Sequence, residues 1–365
     1  MSKKPGGKSK EQSESLWARL VTAQADELSK EPNSSSTVVF CGGRKSGKTT
    51  ILERFMKGTK DDYPKATVAL DYKYARFAHD ASTSKSIAHI FDLGGDERLS
   101  HLVNVAITPA NVESVILTVT VDLGEAASVV PSLIHWIAVL RARVDKCLEQ
   151  AAGSGQAAAA RVQKLRDAVR EKWESHADNS HVRPFPVPLI IFGAKWDMMD
   201  VNKRRTLCQA LRYFATVSGA YLVCTSTRKE DRQTLEGMKS LCRRLFFGTA
   251  SIRLPKEEME HEKPLFICPG TDTLANIPVP PGKQHHSEDG WKKVAETSFG
   301  TYSLSVGEGA GGDEQLDGVK FAENTIDAML DQKREELKQY RAQVERSRRL
   351  VSEGINVADA RSIGT

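Results

Sequence analysis

The sequence predicts an α/β fold with a doubly wound, mostly parallel sheet. Three observations carry that prediction. β-rich apolar runs alternate with helical stretches through residues 37–250, which is the pattern of strands joined by helical crossovers. A glycine-rich loop, GGRKSGKT (42–49), separates the first run from the first helix. A chain of 365 residues with 40% hydrophobic side chains can also bury a sizeable core.

In order along the chain, residues 1–14 open with the basic run MSKKPGGKSK and read as disordered. Residues 15–36 hold a short helix and a lead-in, with Leu16, Leu20 and Val21 near one helical face and Trp17 beside it. TVVFC (37–41) is a strand, KTTILERFM (48–56) a helix, and the runs 67–77 and 86–93 form a possible hairpin. Strands follow at 114–123, 188–195 and 220–226, each with a helix after it. Between the first two of these lie about 65 residues, far more than one crossover needs. They contain two long amphipathic stretches broken by GSGQ (153–156), a helical-hairpin insertion over about 128–180.

The stretch KPLFICPGTDTLANIPVPP makes the segment 251–300 too apolar for a linker, and it is expected to run back across the domain. Residues 301–318 are Gly-rich and acidic, a flexible break before a helix over 319–352 and a tail over 353–365. On that helix Leu330, Leu337, Val344 and Val351 recur every seven residues, with Ile326 and Tyr340 in the neighbouring row, while Lys333 and Ser347 interrupt the second row. The pattern is a narrow apolar seam suited to packing on a partner, with Leu330, Leu337, Tyr340 and Val344 as candidate contacts.

Composition narrows the function classes. Fifty-two Lys and Arg against 47 Asp and Glu leave a net charge of +5, much of it in the first residues, so nothing argues for a nucleic-acid partner. The six cysteines lack the spacing of a zinc or redox site and read as small buried hydrophobes. No uninterrupted apolar run has the length of a membrane span, and the polar N-terminus lacks the apolar core of a signal peptide. The expectation is a chain of the cytosol, or of a compartment continuous with it, that does not insert in a membrane.

Residues Gly42 to Thr49 satisfy the phosphate-loop pattern G-x-x-x-x-G-K-[ST] in full. Gly42, Gly43 and Gly47 let successive N–H groups turn toward a phosphate at the positive end of the following helix. Lys48 would reach the β- and γ-phosphates, the Thr49 hydroxyl would hold Mg²⁺, and Thr50 continues the helix start. Asp92 and Gly95 fit a D-x-x-G signature at the end of a strand, Asp92 a second candidate magnesium residue and Gly95 a γ-phosphate contact. Thr67 stands where small GTPases carry their magnesium-sensing threonine. The candidate cofactor is GTP or GDP with Mg, or the site is empty.

Base recognition and hydrolysis depart from the Ras-like pattern. Ala194-Lys195-Trp196-Asp197 differs by one residue from the N-K-x-D that reads guanine, and Thr225-Ser226-Thr227 stands where S-A-K is usual. Asp197 keeps two acceptor oxygens for guanine, but Ala194 cannot brace the loop. After Gly95 comes Asp96 instead of a water-orienting glutamine, a carboxylate that would face the γ-phosphate and has no N–H to donate, so hydrolysis is expected to be very slow or absent. His89 and His101 flank the motif as packing or surface residues.

Beyond the motifs, GGRKSGKTT, KATVALDYKYAR, HIFDLGGD, PFPVPLIIFGAKWD, KPLFICPGTD, and SEDGWKKV followed by FAENTIDAML closely resemble the dynein light intermediate chain family over roughly residues 15–345. Within it the resemblance is to the branch of the second cytoplasmic dynein, which drives retrograde intraflagellar transport. It implies a Ras-like domain carried as an accessory subunit on the dynein 2 heavy chain tail, with no motor or catalytic role. The implied company is the other dynein 2 subunits and intraflagellar transport particles, in cytoplasm, cilium or flagellum, basal body and microtubule cytoskeleton. The branch of the first cytoplasmic dynein usually continues into a long tail, whereas this chain stops soon after one helix. The rival readings are a nucleotide-cycling GTPase-like switch, which Asp96 and Ala194 oppose, and a kinase-like ATP enzyme, which lacks its second acidic cluster.

Overall fold

The computed structural model describes residues 35–58, 64–78, 85–228, 230–302 and, within 328–342, all but 330 and 334. The expected N-terminal helix, most of the Gly-rich acidic break and the tail lie outside the described residues, as do Leu330, Val344, Ile326 and Val351. The chain divides into two units, through Ser305 and from Val306.

The first unit is built on a seven-stranded sheet in the order β2-β3-β1-β4-β5-β6-β7. β1 (Ser35–Gly42) starts two residues before the expected run; α1 (Lys48–Lys57), β2 (Leu70–Ala78) and β3 (Lys85–Leu93) follow. β2 and β3 form the antiparallel hairpin, in register from Leu70↔Leu93 to Ala78↔Lys85. A 3₁₀ turn at Glu97–Leu102 runs into the single helical turn α2 (Val103–Ala106). Then come β4 (Val115–Asp122), α3 (Ala126–Ala152), α4 (Gln156–Glu174), β5 (Leu189–Ala194), α5 (Val201–Ser218), β6 (Tyr221–Cys224) and α6 (Arg232–Phe246). β1, β3, β4, β5 and β6 are mutually parallel, the doubly wound arrangement that the alternation predicts.

Both faces of the sheet are covered, so its central strands are buried along their length rather than on alternate residues, as β4 and β5 show, Thr118 and Thr120 included. One face packs on α2, α3, α5 and α7 (Glu288–Phe299), around Leu117, Val119, Trp136 and Trp291. The other packs on α1 and α6, where Phe40 stacks on Phe192 and meets the edge of Phe246. In the helical pair between β4 and β5 the two members differ in role. α3 has the length and apolar content of a membrane span, yet Trp136, Leu140, Val144 and Leu148 are buried in the core and fix it as the β4–β5 crossover. α4 adds only Val162 and Trp173 to the interior and lies on α3 as an outer layer.

After α6 the chain returns along the sheet edge, and Phe266–Ile267 adds β7 antiparallel to β6. A buried ion pair pins this return: Arg212 on α5 donates from two nitrogens to the Asp272 carboxylate at 2.7 and 2.8 Å. α7 is capped by Ser287, whose hydroxyl oxygen accepts from Gly290 N–H, and buries Trp291 completely. Five cysteines are buried and Cys268 is half-buried. In the second unit, Leu337 and Tyr340 lie on helical residues and are 49% and 64% exposed.

Candidate functional site

The site lies at the carboxyl ends of β1, β3 and β4, where the connection from β1 leaves toward one edge of the sheet and those from β3 and β4 toward the other. In open α/β sheets that switch point is where ligands bind. The loop after β1 is shaped by what glycine permits. Gly42 has φ 142, and a β-carbon there would stand 2.1 Å from the Thr120 carbonyl oxygen; Gly47 has φ 99 and begins α1. Lys48 is buried and donates to the carbonyl oxygens of Gly42 at 3.0 Å and Gly43 at 2.7 Å. Burial lowers its pKa to about 8, against the raising influence of Asp92 and Cys41. The Cys41 thiol behind it is pushed up to about 12, by burial first.

Three oxygens converge beside the lysine. Thr49 Oγ1 donates to Asp92 Oδ2 at 2.6 Å, Thr67 Oγ1 donates to the same oxygen at 2.9 Å, and the two hydroxyls are 3.1 Å apart. These are the hard oxygen donors that would hold a Mg²⁺ ion. Asp92 Oδ1 and Ser46 Oγ are buried without a hydrogen-bond partner. Such orphaned acceptors suit a hydrated cation and a phosphate. Thr50 stands at the start of α1 and lines a cavity shared with Thr67.

Gly95 closes over the loop: a β-carbon on it would come within 2.3 Å of the Arg44 nitrogen and 2.4 Å of the Gly43 carbonyl. Asp96 departs from the sequence-based expectation. Its carboxylate caps the following 3₁₀ turn through Arg98 N–H at 3.0 Å and is gripped by the Arg98 guanidinium at 2.7 and 3.1 Å. The carboxylate is thereby held by its own turn instead of facing a phosphate, because an acceptor at a helix start finds an N–H two residues on. The bond to Arg98 is the largest influence holding its pKa down. Neighbouring Glu97 is raised to about 7, by burial first and then by Asp96.

The candidate base-end residues meet the glycine-rich loop at Gly47, where an added β-carbon would lie 3.1 Å from the Ala194 methyl. Ser226 Oγ donates to Asp197 Oδ1 at 3.0 Å, and Arg228 Nε stands 3.4 Å from Oδ2. Thr225 is buried; its N–H donates to Gly193 O at 2.8 Å and its carbonyl accepts from Trp196 N–H at 3.0 Å. Lys195 adopts a left-handed φ of 60 and donates to Asp122 Oδ2 at the end of β4. The sequence-predicted residues thus gather into two adjoining clusters, phosphate and base. Leu337 and Tyr340 belong to the second unit. Sequence reasoning passed over Asp122 and Arg228, although an acidic residue at a strand's carboxyl end was a signal for Asp122.

Comparison with known proteins bears on identity. The family profile described as dynein light intermediate chain (DLIC) matches residues 11–184. A zebrafish (Danio rerio) protein named cytoplasmic dynein 2 light intermediate chain 1 is 33% identical over 345 residues, spanning 90% of this chain and 92% of that one. The chain belongs to the dynein light intermediate chain family. Other light intermediate chains of the same name agree: the Bos taurus protein is 30% identical over 90% of this chain and 95% of its own, and the Homo sapiens protein 32% over 83% and 87%. The solved structure described as the Crystal Structure of the Dynein Light Intermediate Chain's Conserved Domain aligns with a TM-score of 0.49 at 13% identity, covering 72% of this chain and 89% of that one.

Proposed function

We propose that this light intermediate chain is an accessory, non-catalytic subunit of cytoplasmic dynein 2, gripping the heavy-chain tail in retrograde intraflagellar transport and cilium assembly. The observation that carries the reading is the extent of the likeness: relatives of that name match across nine-tenths of the chain, including β7, α7 and beyond the phosphate-loop domain. The heavy chain is the partner that membership in the family implies; the other dynein 2 subunits, transport particles and a place at the basal body are the finer part of the proposal.

Within this reading the nucleotide site serves structure. Lys48 would hold phosphates, and Thr49, Thr67 and Asp92 the magnesium, while the orphaned Asp92 Oδ1 and Ser46 Oγ support the fit. The base end fits guanine less well, because Ser226 and Arg228 already engage Asp197. A nucleotide held only by the folded chain stabilises it by RT ln(1 + [L]/Kd) without turning over. Asp96, tied to Arg98, leaves no amide to orient a water. Single-turnover GTP hydrolysis on purified protein, with its copurified nucleotide identified, tests this: a turnover near that of an activated GTPase would overturn the non-catalytic reading.

A further inference from the structure

The two edges of the sheet differ. β7 is two residues long, and Glu258 bridges to Phe266 there. β2, at the other edge, offers nine residues in unbroken register with β3, and among the described residues no strand pairs with its outer side. Long regular edges are normally blunted by bulges, prolines or free charges. β2 has no proline, its Asp71 and Lys73 neutralise each other at 2.8 Å, and Arg76 lies over the Tyr74 ring at 5.1 Å.

Its hydrogen-bonding groups point the same way. Gly94 N–H donates to Ala69 O at 2.6 Å, across the pair that continues the register Leu70↔Leu93. Hydrogen-bonded and non-hydrogen-bonded pairs alternate from there, so Tyr72, Tyr74 and Arg76 turn their N–H and C=O groups outward.

The two sides of this edge are chemically distinct. On the α1 side a cavity of about 690 Å³ is lined by Glu53, Arg54, Lys57, Lys65, Asp71 and Lys73 among others. Glu53 pairs with Lys57 at 2.6 Å and with Lys73 at 3.7 Å, and Asp71 is taken by Lys73, so Arg54 and Lys65 are left with no ion pair among the described residues. On the opposite face Tyr72 and Tyr74 are 50% and 52% exposed, with Phe91 beside Tyr72. A strand laid along β2 would alternate its side chains between these two environments.

We propose that the outer edge of β2 takes up an extended segment of a partner protein as an added strand, one whose alternate side chains are acidic toward α1 and apolar toward Tyr72 and Tyr74. Backbone pairing supplies the grip and the alternation supplies the choice of sequence. Charge complementarity with Arg54 and Lys65 singles out an acidic occupant over a second copy of this chain, whose own β2 carries a single acid, Asp71, already paired with Lys73.

The test uses the full chain and two labelled peptides of one composition: alternating glutamate and valine, or all glutamates ahead of all valines. The alternating peptide should bind at least about tenfold more tightly, a difference that net charge alone cannot produce. Tyr74→Pro removes an outward N–H while leaving the β3 pairing intact, and should lower affinity more than Tyr74→Ser does. Should Tyr74→Pro fail to fold, charge exchange serves: Arg54→Glu with Lys65→Glu should reject the glutamate peptide and accept one alternating lysine and valine. Equal binding of the two peptides, indifference to both substitutions, or a β2-dependent dimer of this chain that excludes the peptide would each overturn the proposal.

Discussion

Lys48 carries the sharpest residue-scale expectation. Burial holds its pKa near 8, below its ordinary 10.5, and phosphate beside it would favour the charged form. Binding then requires proton uptake above pH 8, so nucleotide affinity should be level from pH 6 to 7.5 and fall up to about tenfold per unit above 8. Titration calorimetry across that range checks it, and Lys48→Met should abolish both the binding and the slope. The same shift has a consequence for folding. The unfolded chain binds the proton more tightly than the native one, so this group adds stability as pH rises from about 8 to 10.5. Asp96→Gln would trade the cap on the 3₁₀ turn for an amide, so the expected outcome is a loss of about 1 kcal/mol in chemical denaturation, and, if GTP binds, a measurable gain over a very low hydrolysis rate. The turn between β1 and α1 was legible because Gly42 and Gly47 stand where positive φ and close packing admit no side chain. The bonds of Asp96 to Arg98 and of Asp197 to Arg228 were not, since a side chain's choice among nearby partners leaves no periodic mark on the sequence.

At the scale of elements, the return segment depends on one buried ion pair. Arg212→Ala would strand the Asp272 carboxylate, whose side chain is 2% exposed, at a cost on the order of 3–5 kcal/mol. Hydrogen exchange should then show residues 265–300 opening ahead of the central strands; a uniform loss of protection would contradict this placement of the pair. Trp291→Ala, which empties a fully buried site under α3 and α5, should likewise cost about 3–5 kcal/mol in equilibrium denaturation. β7 was not legible as a strand because two residues cannot display a period, and only the apolar wording of KPLFIC hinted that the segment packs. The distinct roles of α3 and α4 were hidden for a different reason. Both sequences favour helix, and what separates them is burial against the sheet, which amphipathicity measures only weakly when a helix contacts neighbours on several sides.

For the whole molecule, the order of the inner strands follows from composition and connection rules: apolar parallel runs, right-handed crossovers and one hairpin leave few alternatives. Function did not follow from the fold, because a phosphate-loop domain can turn over nucleotide, sense it, or merely hold it. The likeness to dynein 2 light intermediate chains supports an accessory subunit of a motor rather than an enzyme. The central claim is that the subunit joins the motor without acting as a switch, and a ligand shifts an assembly only through unequal affinity for two states. Its most direct test measures binding of this chain to a dynein 2 heavy-chain tail with GDP, with a non-hydrolysable GTP analogue, and after Lys48→Met. The expected result is tight association that changes less than about threefold between the two nucleotides and persists in any folded Lys48→Met protein. Association that appears with one nucleotide and is lost by a factor of about a hundred with the other would contradict it.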